Sequence, residues 1–282
     1  MFPFLQSKQI AKRVRTACVV SKGSDEKIDE IALKVSGILK RCKIEPYLLK
    51  PLASSNFESL DSFASFSKAK IDIAVVVGGD GTILKTVRNT TNSIPVFGIN
   101  MGGRGLLAEV PPQNAEKAIE SIAKGKYTLD KRMRIVAKVK RKVLPPALNE
   151  IYIDRLTKLR APTYKIAVDQ ETPISQRMDG VIVSTPTGST GHTLSFGSSV
   201  IHENMEAMML TPVAPISRMP SIILPPSQIT IESTDNSSVL MDGQLDFPFR
   251  AGNKIVISKY SKDAFFIRFA SSSLRQLKRL GY

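Results

Sequence analysis

The sequence has no tryptophan, and its aromatic residues make up only 6% of 282 positions. With so few rings to stack on bases, and no recognisable nucleic-acid-binding module, a nucleic-acid partner is not expected. Cysteine is nearly absent too. Cys18 falls in an expected strand and Cys42 at an expected helix end, too few for a disulfide framework. No apolar run approaches the length that spans a bilayer, so no membrane partner is expected either. The opening Met1-Phe2-Pro3-Phe4-Leu5 is apolar but too short for a signal sequence, and Lys8, Lys12 and Arg13 follow without a cleavage-type region. A cytoplasmic address is the expectation that remains. There is no internal repeat and no low-complexity tract. Acidic residues are in short supply: 25 against 40 basic ones, a net charge of +15. That excess has two readings, attraction of polyanionic ligands such as nucleotides or polyphosphate, or a lysine-rich solvated surface.

At this length the chain can form two modest domains with real cores. Its most informative stretch is Gly78-Gly79-Asp80-Gly81-Thr82, set against the β-branched run Ile71–Val77. A short apolar run stopping at two glycines reads as a buried strand emptying into a turn. Ile83, Leu84 and Val87 then recur at helical spacing, which places Thr82 near the first turn of a helix. Glycines allow close approach of the backbone to a phosphate, and a helix N-terminus offers free N–H groups and a positive dipole end. A carboxylate there is repelled by phosphate unless it takes a metal or accepts a proton from an attacking hydroxyl, as a phosphoryl-transfer site requires. The other reading is a strand–turn–helix corner with Asp80 capping the helix.

Taken in order, Val14–Val20 forms a first strand and Glu26–Cys42 an amphipathic helix whose apolar face carries Ile28, Ile31, Val35, Ile38 and Leu39. Ile44–Leu49 reads as a second strand, and serine-rich Ala53–Ser67 as a loop or weak helix. The Ile71–Val77 strand, the Thr82–Asn89 helix and a strand over Pro95–Asn100 follow. Strands alternating with helices imply a parallel, helix-covered sheet with ligand crevices at the strand carboxyl ends, where the Asp80 and Asn100 loops lie side by side. A second glycine loop, Gly102-Gly103-Arg104-Gly105, offers further backbone donors and one guanidinium for phosphate, or else serves as an interdomain hinge. Gln113–Lys124 reads as a helix.

From Tyr127 the pattern turns β-rich: Arg134–Val143, Leu148–Asp154, Tyr164–Val168, Gly180–Ser184, Ile222–Leu224, Gln228–Glu232, Val239–Asp242, Lys254–Lys259 and Phe265–Phe269, separated by turn residues as in a β-sandwich. A helix is expected after Gly188, and Ser272–Gly281 reads as an amphipathic helix. Within this half, Asp179-Gly180-Val181-Ile182-Val183-Ser184-Thr185-Pro186-Thr187-Gly188-Ser189-Thr190-Gly191 runs from an acidic residue through a short strand into a loop of small hydroxyl residues. Such a loop can wrap a flat ring or a sugar with backbone and hydroxyl hydrogen bonds. Upstream, Asn149 can pair with an adenine edge and Glu150 with a ribose hydroxyl, or the two are polar residues at an exposed strand edge.

The glycine pentad, Asn149-Glu150 and Asp179–Gly191, in that order, resemble the NAD kinase family, and the similarity runs from about Val14 to the C-terminus. The resemblance implies an N-terminal Rossmann-like α/β domain, a C-terminal β-sandwich domain, and a C-terminal segment returning to the first domain. With it come the expected bounds: residues 1–110 plus 270–282, and residues 111–269. It implies transfer of a phosphoryl group from ATP or polyphosphate to the 2′-hydroxyl of the adenosine ribose of NAD, with Mg²⁺ or another divalent cation, in a homodimer or homotetramer. Asp80 matches the family's essential aspartate, and Gly78, Gly79, Gly81 and Thr82 its phosphate-proximal turn. Asn149 and Glu150 match the pair that holds the dinucleotide, and Asp179 an aspartate near the nicotinamide end. Thr187, Thr190, Gly191 and Ser195 match the hydroxyl-rich loop around the adenines, and Asp242 a segment close to the acceptor ribose. Metal ligands are not specified. Two departures stand out: Gly191-His192 replaces an Ala-Tyr of many relatives, leaving His192 to stack on a base or nicotinamide, and Leu106-Leu107 replaces aromatics. Two other functions compete, a kinase of another small molecule such as a lipid or sugar, and a non-catalytic NAD(H)-binding sensor. The Asn149-Glu150 and Asp179–Gly191 segments weigh against the first, and the intact Asp80 against the second.

Overall fold

The Ile-Ala-Val-Val-Val-Gly run at residues 73–78 is buried at every position, which a strand achieves only with neighbours on both edges and layers on both faces. The computed structural model describes residues 13–23, 25–90, 93–103, 105–157, 159–269 and 275–281. In chain order the first part gives β1 (Thr16–Val20), α1 (Glu26–Arg41), β2 (Glu45–Leu49), β3 (Glu58–Leu60), β4 (Ile73–Gly78), α2 (Asp80–Asn89), β5 (Val96–Asn100), α3 (Ala115–Ala123) and β6 (Thr128–Arg132). The strand β4 pairs in parallel with β1 on one side and β5 on the other. The register places Gly78 opposite Asn100, so the glycine turn and the Asn100 loop leave the sheet side by side, as the alternating pattern requires. Helix α1 shows how locally the sequence acts. Asp25 accepts hydrogen bonds from the amides of Lys27 and Ile28 at its start, acids lie in its first turn, Lys40 and Arg41 in its last, and Ala32, Val35 and Leu39 face inward.

Two compact units emerge, residues 1–131 with 264–282, and residues 132–263. These bounds differ from the expected 110/111 and 269/270. Helix α3 belongs to the first unit because Ala115, Ala118, Ile119 and Ile122 join the core formed by Val75, Val77, Phe97 and Ile99. Burying each of the larger of these side chains contributes roughly 1.5–3 kcal/mol, which holds the helix in this unit beyond the expected 110/111 bound. The run expected as the last sandwich strand, Phe265–Phe269, also lies elsewhere. Residues Ala264–Arg268 form a strand of the first sheet, parallel to β5 with Phe266 opposite Val96, in the order β3-β2-β1-β4-β5-(264–268)-β6. Helix α4 (Arg275–Leu280) follows it in the first unit, the C-terminal return that was expected.

The second unit holds β7 (Ile135–Val139), β8 (Lys142–Val143), β9 (Glu150–Arg155), β10 (Thr163–Val168), β11 (Ile174–Arg177), β12 (Gly180–Ser184), β13 (Met208–Val213), β14 (Ile222–Leu224), β15 (Ile229–Ser233), β16 (Ser237–Met241), β17 (Leu245–Phe249) and β18 (Lys254–Lys259). The strand over 264–268 is therefore β19. Two antiparallel six-stranded sheets, ordered β11-β10-β15-β18-β7-β8 and β14-β13-β12-β9-β16-β17, make a sandwich. Strand alternation sends Ile151, Ile153, Val181, Val183, Val239 and Met241 into one core with Ile166, Ile231, Ile255 and Ile257. Residues 150, 152, 180, 182 and 184 therefore share the opposite face of their sheet. The sequence pattern missed β13, because Pro212 argues against a strand. The strand tolerates it because its pairing with β14 stops at Leu210, where no partner needs the missing N–H. After Gly188 there are two 3₁₀ turns, Gly188–Thr190 and His192–Phe196, in place of the expected helix. Thr190 Oγ1 bonds the Thr187 carbonyl and Ser189 Oγ the Pro186 carbonyl, so hydroxyls compete with the helical ladder.

Candidate active site

In the first unit the strand β4 ends at Gly78, Gly79 is the N-cap of α2, and Asp80 is the first helical residue. The carboxylate of Asp80 does not cap its own helix. Instead Leu106 N–H donates to Oδ2 and Leu107 N–H to Oδ1, each at 2.9 Å. The loop after Gly105 thus spends two backbone donors on Asp80, and the carboxylate is held by both oxygens while the residue stays partly exposed. Thr82 sits in the first turn, its hydroxyl 2.8 Å from where a side chain on Gly78 would begin, so the turn closes only over glycine. Gly81 is exposed at the helix start. Arg104, the expected guanidinium of the second loop, lies outside the described residues.

In the second unit Asn149 and Glu150 stand at the start of β9 and are fixed by Asp242. The amides of Leu148 and Asn149 donate to Asp242 Oδ2 and Oδ1 at 3.2 and 2.8 Å, and Asp242 N–H returns a bond of 3.0 Å to the Glu150 carbonyl. Asp242 adopts φ +51° in the hairpin between β16 and β17 to make this reach. From the other side the hydroxyl loop closes on the same dipeptide. Thr185 N–H bonds the Asn149 carbonyl at 2.9 Å, and Thr185 Oγ1 spans from the Leu148 carbonyl (2.5 Å) to Gly188 N–H (3.1 Å). A side chain at Gly188 would strike the Asn149 carbonyl, so the loop can come this close only with glycine there. A Cβ on Gly191 would lie 3.3 Å from Glu150 Oε2 and 3.6 Å from Asn149 Nδ2, which shows both side chains converging on that glycine.

Thr187, Thr190, Gly191, His192 and Ser195 follow one another along the two 3₁₀ turns, Thr187 and Thr190 buried, His192 and Ser195 exposed. The ring of His192 meets Tyr152 at 5.7 Å and Phe196 edge-on at 5.1 Å. Asp179, just before β12, pairs through Oδ2 with Arg155 at 3.1 Å.

Residues 8–127 match the ATP-NAD kinase N-terminal domain family, and residues 148–269 match the ATP-NAD kinase C-terminal domain family. An NAD kinase of Thermococcus sibiricus is 33% identical over 89% of this chain and 93% of that relative. One from Desulforamulus reducens is 30% identical over 96% and 91%. The chain belongs to the NAD kinase family. A solved NAD kinase from Archaeoglobus fulgidus, described in complex with ATP, superposes with a TM-score of 0.75 at 26% identity, covering 94% of this chain and 97% of that one. Yeast NADH kinase, complexed with NADH, gives a TM-score of 0.84 at 20% identity, covering 96% and 87%, a likeness of fold.

Against the background of the NAD kinase family, the electrostatics separate the carboxylates. Glu150 is 5% exposed and its Oε2 has no hydrogen-bond partner among the described residues. Burial, and then the charge of Asp242, push its carboxyl up to about 8, so it is largely protonated near neutral pH. Sequence reasoning missed Arg132. Only 2% exposed, it pairs with Glu203 at 2.7 Å and donates to Thr187 Oγ1 at 3.3 Å, bracing the hydroxyl loop. It was hidden inside the basic Lys131–Arg134 stretch, where nothing in the residue types marks which of the cations turns inward. The membership implies a divalent cation, and no group of three His, Cys, Asp or Glu converges among the described residues. The carboxylate of Asp80, partly exposed at the start of α2, is an oxygen donor that such an ion could take.

Proposed function

We propose that the chain transfers the terminal phosphoryl group of ATP to the 2′-hydroxyl of the adenosine ribose of NAD, giving NADP and ADP. The observation that carries this reading is the fixed carboxylate of Asp80, whose two oxygens take the amides of Leu106 and Leu107 at the entrance of α2. A carboxylate locked in one orientation, and partly open to solvent, suits a group that accepts the proton of an attacking hydroxyl as the new O–P bond forms in line with the departing ADP. Gly78, Gly79, Gly81 and Thr82 present the N-terminal amides of α2 to the donor phosphates. A divalent cation bound to those phosphates supplies charge neutralisation, with Asp80 the nearest carboxylate of the turn.

Asn149 and Glu150 hold the dinucleotide, Asn149 through paired donor and acceptor and Glu150 through a ribose hydroxyl. The protonated form that burial favours lets Glu150 donate as well as accept. Thr187, Thr190, Gly191 and Ser195 line the adenine, His192 offers a ring for stacking, Asp179 faces the nicotinamide end, and Asp242 sets the height of the Asn149-Glu150 pair. Polyphosphate is an alternative donor. Assembly as a homodimer or homotetramer is supported by an apolar sheet edge on β14, where Ile222 and Ile223 are 40% and 50% exposed. A cytoplasmic location is supported by two free cysteines. Among the described residues no helix is long and apolar enough to cross a membrane. The test is a coupled assay with purified protein, NAD, Mg²⁺ and either ATP or polyphosphate. NADP is expected with ATP, and binding of NAD without NADP formation would overturn the reading in favour of a sensor.

A further inference from the structure

The basic residues of the C-terminal tail have no part in the reaction as drawn, yet they converge on the segment that clamps Asp80. Three consecutive carbonyls each receive a guanidinium: Leu107 from Arg268 at 2.9 Å, Ala108 from Arg275 at 2.8 Å and Glu109 from Arg279 at 3.1 Å. The Glu109 carboxylate ties the set together, its Oε2 3.2 Å from Arg268 and 2.6 Å from Arg275, its Oε1 accepting Phe269 N–H at 3.1 Å. Arg268 reaches Asp130 as well, at 3.1 Å. Arg275 and Arg279 stand one turn apart on α4, so both project from the same side. Leu107 is consequently gripped at both ends, its N–H by Asp80 and its carbonyl by Arg268. The Leu107 carbonyl shares its rigid peptide plane with Ala108 N–H, so holding it fixes the plane that follows Leu107 and restricts the segment that presents the Leu106 and Leu107 amides. Glu109 N–H anchors the far end to the Gly98 carbonyl at 2.8 Å.

We propose that Arg275 and Arg279, together with Arg268, are positioning residues that aim the Asp80 carboxylate through the 106–109 segment. The proposal rests on Asp80 being the base in the reaction above. Misaiming a reacting group by about 1 Å costs on the order of 10²-fold in rate, so the double variant Arg275→Gln/Arg279→Gln, made in the full chain, loses about that much kcat. Its KM for NAD stays within about threefold, because no dinucleotide contact has gone. The amides of Leu106 and Leu107 exchange with deuterium at least about tenfold faster, with the rest of β4 and β5 unchanged. Lys278→Gln, on the exposed side of the same helix, alters none of these. Arg275→Lys, which keeps a donor, restores part of the rate. In an Asp80→Asn background the double change has no further effect on the residual rate, a non-additivity that a general loss of structure does not give. Unchanged amide exchange, or an equal loss of rate in the Asp80→Asn background, overturns the proposal. Failure of the unaltered chain to make NADP would overturn the reaction instead, while the exchange measurement still decides the positioning.

Discussion

Asp80 in the first unit and Asp242 in the second are held alike. Each carboxylate gives one oxygen to each of two consecutive backbone amides, Leu106 and Leu107 for the one, Leu148 and Asn149 for the other. They differ in what is left over. Asp242 is 5% exposed and its reach is internal, so it fixes the polypeptide around Asn149 and raises the proton affinity of the neighbouring Glu150. Asp80 keeps part of its surface open. One device therefore serves two ends in the proposed reaction, holding the proposed binding dipeptide in place and holding the proposed base in aim, and accessibility distinguishes them.

The largest effect expected from breaking this pairing is at Asp80. Asp80→Asn lowers kcat about 10³-fold with NAD binding retained, measured by NADP formation and by titration with NAD, since general-base assistance accounts for roughly 10²–10⁴ in rate. Glu150→Gln comes next, and its sign follows from the proton. The carboxyl is raised from 4.5 to about 8 in the folded chain. Its contribution to stability is fully present below 4.5 and is lost as the pH rises through about 8. Urea unfolding should show the wild type losing ground to the glutamine variant across that window, by up to about 1.4 kcal/mol per pH unit, and then a constant gap above it. Asp242→Asn has the smallest effect, about 1–3 kcal/mol of stability, because one acceptor oxygen survives. It raises KM for NAD more than it lowers kcat and brings the Glu150 titration down, the reverse of the Asp80→Asn pattern. An Asp242→Asn enzyme with normal KM and reduced kcat would erase the distinction between the two aspartates.

Much of this was legible in the residues. The β4 run, its glycines and the alternation of strand and helix gave the first sheet, and period-two runs with turn residues gave most of the sandwich. What stayed hidden was held by the backbone or by distance in sequence. The donors to Asp80 are amides of two leucines, whose side chains say nothing about their N–H groups. β13 was masked by Pro212, and Arg132 and Arg134, at 2% and 1% exposure, looked like surface charge because composition does not report direction. The late boundary was invisible for the same reason. Nothing in Ala264–Arg268 distinguishes a strand that continues the sandwich from one that pairs with β5, some 170 residues away.

The placement of β19 between β5 and β6 has a consequence for synthesis. While the ribosome is still adding the sandwich, the first sheet has a vacant slot beside Val96, although residues 109 and 110 already bond the far end of β5. The slot fills only when residues 264–268 emerge and bring Arg268 to the Leu107 carbonyl, so the proposed base at residue 80 gains its full support late in synthesis, and a chain cut short before that strand carries the glycine turn without that brace.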